Sequence, residues 1–256
     1  MADSNILNAK DFTFAPYTPG VGSDSGALHL AASKADPQIQ YVIKSASPEL
    51  ACNEFMHHKI TAALGLHTQE VKLFRGVRES KYAAGIRYSP DARAFDLVNC
   101  SEANRRDFFA FHTLYTILNE EDSQEFFIDG QGRVFKLDNA AAFNLNLYTL
   151  AALVRPDINA GQVEAFIKNM MQASLQFTEY DKYAIIRRVL IDKFGPDSES
   201  ACLEMFKRFA DFDDSVLDEA YESLDAIYPE WLSDYFCEFI LIRQDECKRY
   251  LREVGG

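Results

Sequence analysis

Apolar residues recur along this chain with two periods, and the change from one to the other divides it. In the first third the pattern alternates. Leu28 and Leu30 flank His29, and Tyr41 and Ile43 alternate with Val42 and Lys44. Ala27 to Ser33 and Gln40 to Ser45 therefore predict a strand pair turning at Lys34-Ala35-Asp36-Pro37. Glu70 to Gly76 and Lys81 to Tyr88 predict two more strands. Between the pairs, Ser47-Pro48-Glu49 is a helix start, with Ser at the N-cap and Pro at the first helical position. That helix runs to Leu64, stops at Gly65, and presents Met56, Ile60, Ala63 and Leu64 as its buried face. Residues 1 to 26, rich in Pro, Gly and polar side chains, read as loop ahead of the first strand.

Ser89-Pro90-Asp91-Ala92 breaks the alternation, and helical spacing takes over. Phe108, Phe111, Tyr115 and Leu118 fall on one face of a helix beginning near Arg105. A polar loop crowded with acids follows, Asn119 to Glu125. Phe126 to Ile128 and Arg133 to Leu137 then predict a hairpin, with Asp129-Gly130-Gln131-Gly132 as a turn whose two glycines supply positive φ. Helices are predicted over Asn146 to Val154, Ala160 to Phe177, Lys182 to Phe194, Ser198 to Phe209, Ser215 to Tyr228 and Pro229 to Val254. In the last of these, Trp231, Phe236 and Ile240 form a core stripe and Arg243 is expected to pair with an acid. The class is α+β, in two parts: strand-rich over residues 1–90 and helical over 91–256.

Charge narrows the partners. A net charge of −13 and an isoelectric point near 4.8 argue against nucleic acid or an anionic membrane surface, both of which need a basic face. A protein with a basic surface suits such a chain better, although acidity also serves plain solubility. The five cysteines (52, 100, 202, 237, 247) are scattered, odd in number and without a Cys-x-x-Cys pair, as in reduced cytosolic proteins. The opening residues carry no secretory signal pattern, and no apolar run approaches the roughly 18 residues of a membrane span. A cytoplasmic location is expected: the bacterial cytosol, or the host cytosol for an effector exported without a classical signal peptide.

The candidate chemistry lies where a helix, an acidic loop and a hairpin meet. Glu120, Glu121, Asp122 and Glu125 precede the hairpin and Asp138 ends it, aiming carboxylates at one region. Oxygen ligands suit a hard divalent cation and the phosphate it accompanies. Gly20-Val-Gly22-Ser23-Asp-Ser-Gly26 offers backbone N–H groups to a phosphate or is simply a linker. Adjacent His57 and His58 lie about 100° apart on a helix with no second pair at i+4, so they read as structural.

The order of these parts resembles a protein-kinase-like fold, in its divergent HipA-like and phosphatidylinositol-kinase-like branches. The stretches that carry the resemblance are YVIKSASPELACNEF, NEEDSQ, FFIDGQGRVFKLDNAAAF and YPEWLSDYFCEFILIRQDECKRYL, within residues 20 to 252. The resemblance implies an ATP-dependent kinase using Mg²⁺ or Mn²⁺, with ATP and a protein Ser/Thr hydroxyl as substrates. Lys44 would hold the α/β-phosphates and pair with Glu54. Gly22, Ser23 and Gly26 would face the phosphates, and backbone near Ile86 and Tyr88 would meet adenine. Asp122 would be the catalytic Asp, and Asp138 the metal-binding Asp.

Two positions depart from the pattern. Gln124 stands where the family has His, and Phe127 stands where a metal-binding Asn is expected five residues after the catalytic Asp. Either Glu125 replaces that Asn as a metal ligand, or Glu120, five residues before Glu125, is the catalytic acid. The alternatives are a pseudokinase-like nucleotide-binding or protein-interaction module, ATP-dependent AMP transfer, a metal-dependent hydrolase, and an acidic loop on a helical adaptor. Lipid phosphorylation is a lesser option, since no basic amphipathic stretch is evident.

Overall fold

Six strands form one curled sheet in the order β1-β5-β6-β4-β3-β2. The computed structural model describes residues 5–17, 28–44, 48–77, 82–120, 125–143, 165, 184–228 and 231–254, without the side chains of 44, 48, 49, 82 and 184–187. The strands are β1 (Ile6–Asn8), β2 (Phe12–Tyr17), β3 (Leu28–Ser33), β4 (Gln40–Lys44), β5 (Val71–Arg75) and β6 (Tyr82–Arg87). The β1–β5 pair is parallel and the others are antiparallel. Helix α1 (Pro48–Ala63) connects β4 to β5 and packs on the sheet. The predicted strand pairs and the intervening helix are all present.

The first 26 residues hold more order than expected. β1 and β2 lie there, linked by a 3-10 turn over Ala9–Asp11. Pro16 had argued against a strand, but β2 is an edge strand, where a residue lacking an N–H is tolerated. The chain is stitched down at its start. Asn5 donates through Nδ2 to Ser223 Oγ (3.1 Å), its Oδ1 accepts from Lys59 Nζ (2.7 Å), and its carbonyl accepts from Leu73 N (2.9 Å).

A short strand, β7 (Arg93–Ala94), pairs with β8 (Glu125–Ile128), which pairs with β9 (Val134–Leu137). Helix α2 (Glu102–Ile117) begins three residues before Arg105 because Ser101 caps it, accepting from Asn104 N. Every residue from Phe108 to Ile117 is buried, so the helix runs through the core rather than along its edge. Helices α3 (Ala184–Phe194), α4 (Pro196–Ala210), α5 (Asp218–Asp225) and α6 (Trp231–Val254) complete the described part. The expected α+β class is thus observed, with a curled strand-rich sheet and a mostly helical C-terminal part.

Three local expectations are corrected. Ala63 is exposed, and α1 buries Ala51, Cys52 and Phe55 beside Met56 and Ile60. Of the two turn glycines only Gly132 has positive φ (+79°); a Cβ on Gly130 would sit 3.2 Å from that of Asp91. Ser215 to Tyr228 is not one helix but a 3-10 turn over Asp214–Leu217 followed by α5. The helices expected over 146–154 and 160–177 lie outside the described residues, apart from Ala165. Arg243 is fully buried in α6, with its guanidinium 5.4 Å from the centre of the Phe239 ring.

Candidate functional site

The segment after β9 is where α1, α2 and α6 converge. Asp138 and Phe143 both have left-handed backbone (φ +62° and +66°), as does Asn119 (φ +50°) just beyond α2. Among the described residues these are the non-glycine residues with positive φ. Asn and Asp tolerate that region, whereas for a bulky Phe it is an outlier that the surroundings must enforce, at about 1–3 kcal/mol.

The enforcing contacts are visible. Phe143 donates its N–H to Leu118 O (2.8 Å) and accepts Tyr235 OH, and its ring meets Phe236 edge-on at 5.1 Å and Phe239 at 5.3 Å. Helix α1 holds the other end through two consecutive residues. Asn53 Nδ2 donates to Ala140 O (2.8 Å), and the Glu54 carboxylate accepts from Asn139 N (2.8 Å) and Asn139 Nδ2 (3.0 Å). Asn53, Glu54 and Asn139 are all buried. Burial pushes the Glu54 carboxyl up and the nearby Asp138 carboxylate adds to the rise, while Lys136 and the Asn139 donors oppose it.

The site therefore unites Glu54 with Asp138, residues 84 positions apart. Glu125 opens β8 and is the ladder partner of Leu137, one residue before Asp138. Lys44 ends β4, paired with Leu28 on one side and Ala84 on the other. Ile86 pairs with Val42 and Val71, and Tyr88 donates its N–H to Gln40 O (2.9 Å) with its ring edge-on to Tyr17. Gly22, Ser23, Gly26 and Asp122 lie outside the described residues. Glu120, the alternative to Asp122, is buried at the end of α2. Phe127, at the position expected for Asn, stacks on Phe135 at 5.8 Å.

Residues missed from sequence complete the site: Asn53 and Asn139 as a latch, and Lys136, whose Nζ donates to Asp138 O (2.6 Å). A signal for Lys136 existed. It sits two residues after Val134, so the β period puts it on the same, buried face. His57 and His58 are buried on α1, and among the described residues there is no cluster of three or more His, Cys, Asp or Glu able to hold a metal.

The chain as a whole has a solved structural counterpart. The proinflammatory kinase CtkA of Helicobacter pylori superposes with a TM-score of 0.55 over 95% of each chain, at 17% sequence identity. The chain has a protein-kinase-like fold. The HipA toxin of Shewanella oneidensis, solved with HipB and operator DNA, matches more loosely, with a TM-score of 0.41 and 11% identity over 92% of this chain and 66% of that one. No family model and no curated protein sequence matches. Among the described residues no helix is long and apolar enough to cross a membrane.

Proposed function

We propose that this chain is an atypical kinase that moves the γ-phosphate of ATP to a protein Ser/Thr hydroxyl. The observation that carries the proposal is the contact between α1 and the segment after β9, Glu54 to Asn139, which sets a buried carboxylate beside Asp138. A buried carboxylate whose charge a neighbouring carboxylate disfavours makes a place that cations stabilise. In kinases those cations are a strand lysine and a divalent metal. Lys44 and Asp138 take these parts here, with Glu54 positioning and Asp122 orienting the acceptor hydroxyl and taking its proton.

Asp138 and Glu125 fit Mg²⁺ or Mn²⁺. Both are oxygen donors, they lie at adjoining ends of β9 and β8, and Mg²⁺ is bound by one or two carboxylates plus substrate phosphates rather than by a full protein cage. Such an ion neutralises charge on the phosphate oxygens. Gly22, Ser23 and Gly26 approach the phosphates, the backbone around Ile86 and Tyr88 borders the adenine, and a basic acceptor surface complements the acidity of the chain. A second possibility, a nucleotide-binding module without transfer, draws on Phe127, which packs against Phe135 where a metal-binding Asn is expected.

Purified protein is incubated with Mg²⁺ or Mn²⁺ and a basic acceptor such as histone, with ATP labelled at either the γ or the α phosphate. The kinase transfers γ label, and Lys44→Ala and Asp138→Ala each reduce transfer at least 100-fold, the order expected when a charge-stabilising group is removed. Transfer of α label indicates AMP transfer. Metal-nucleotide stabilisation without transfer, lost in both variants, indicates the binding module. The absence of both transfer and stabilisation refutes the proposal.

A further inference from the structure

Lys136 is placed by none of the roles above, yet it lies at their centre. It sits on β9 with a relative exposure of 2%, its Nζ 2.6 Å from Asp138 O, 3.9 Å from Glu120 Oε2 and 4.5 Å from the centre of the Tyr115 ring. Its charge also reaches Glu54 and His57 on α1. The peptide unit between Asp138 and Asn139 is held along both edges. Its carbonyl accepts from Lys136, and its N–H donates to Glu54 at 2.8 Å. A turn of that peptide plane changes ψ of Asp138, the residue whose φ is already left-handed. Two oppositely charged side chains, from β9 and α1, thus fix the backbone from which the Asp138 carboxylate projects.

We propose that Lys136 is a positioning residue that locks the Asp138–Asn139 peptide, and so presents the Asp138 carboxylate to the divalent ion in a single orientation. This rests on the kinase reading of Asp138. It differs from a role in which Lys136 only neutralises Glu120 inside the fold, because the function lies in the bond to the carbonyl. The two roles separate when both charges are removed together.

In Lys136→Met/Glu120→Gln no buried carboxylate at 120 is left facing a lost cation. The measurement is calorimetric titration of Mn²⁺ into protein with ADP, beside ADP titration without metal and a thermal melt. The double variant is expected to melt within a few degrees of wild type, to bind ADP alone within twofold, and to bind Mn²⁺ about 10- to 100-fold more weakly, the loss typical of removing a residue that orients a metal ligand. Lys136→Gln/Glu120→Gln restores an N–H donor and recovers most of that affinity. Wild-type Mn²⁺ affinity in the Met variant overturns the inference. So does an equal loss in the Met and Gln variants, or a parallel loss of metal-free ADP binding. Wild-type protein that binds no Mn²⁺ with ADP refutes the kinase reading itself, a separate result.

Discussion

Acid should loosen the helix that carries Glu54. His57 and His58 sit side by side on α1, both buried, with Nδ1 of each 3.2 Å from a threonine hydroxyl, Thr61 and Thr68 respectively. Burial pushes the His58 imidazole down to about 3, Lys59 and Lys72 adding to the fall while the backbone of Gln69 opposes it. Burial also drives His57 well below the ordinary range, with help from Lys136 and His58. Both rings are neutral in the folded protein near neutrality, whereas in the unfolded chain each takes a proton near pH 6.5. Between about pH 6.5 and pH 3 the unfolded state therefore binds more protons, and stability falls as pH falls. At pH 5 the His58 ring, held down to about 3, withholds about 1.5 pK units, or about 2 kcal/mol, and His57 acts in the same direction. That is a large share of the roughly 5–15 kcal/mol that holds a domain folded. Urea unfolding at pH 7.5, 6.0 and 5.0 compares wild type with His57→Gln/His58→Gln, which cannot titrate at these positions. The wild type should lose at least about 2 kcal/mol more than the variant over that range. Parallel stability curves for the two proteins would show that neither imidazole is held neutral by the fold, and the reasoning would be wrong.

Two further outcomes follow from the packing. Gly85→Ala sets a Cβ 2.4 Å from Phe74 Cε2 and 2.7 Å from Ile43 Cδ1, both on fully buried side chains, so the variant should lose about 1–3 kcal/mol, read as a lower thermal midpoint. Asn53→Ala removes the donor to the buried Ala140 carbonyl and should cost about 1–3 kcal/mol in chemical denaturation; an unchanged midpoint would mean that the contact does not hold the segment.

Much of this site was legible because its elements announce themselves locally. The Ser-Pro start of α1, the alternation in β3 and β4, and the apolar spacing of α2 each arise from short-range chemistry, and each element formed close to where the pattern put it. The acids of the hairpin were visible for the same reason. What pattern could not give was the wiring. Glu54 was singled out as the partner of Lys44; that its carboxylate accepts from Asn139, a contact across 85 residues, is something no periodicity encodes. Lys136 was not singled out, although its position two residues from Val134 places it on a buried face of the strand. β2 was hidden by Pro16, since whether a strand lies at a sheet edge depends on the assembled sheet. The positive φ of Phe143 carries no sequence signature, because tertiary contacts impose it.

Asn5 touches three places at once: the sheet through Leu73, α1 through Lys59, and α5 through Ser223. One residue bonded on three sides couples those elements, so none shifts without straining its bond to Asn5. Asn5→Ala removes the side-chain links to Lys59 and Ser223 and spares the backbone link to Leu73, which loosens the helices from each other before it loosens the sheet.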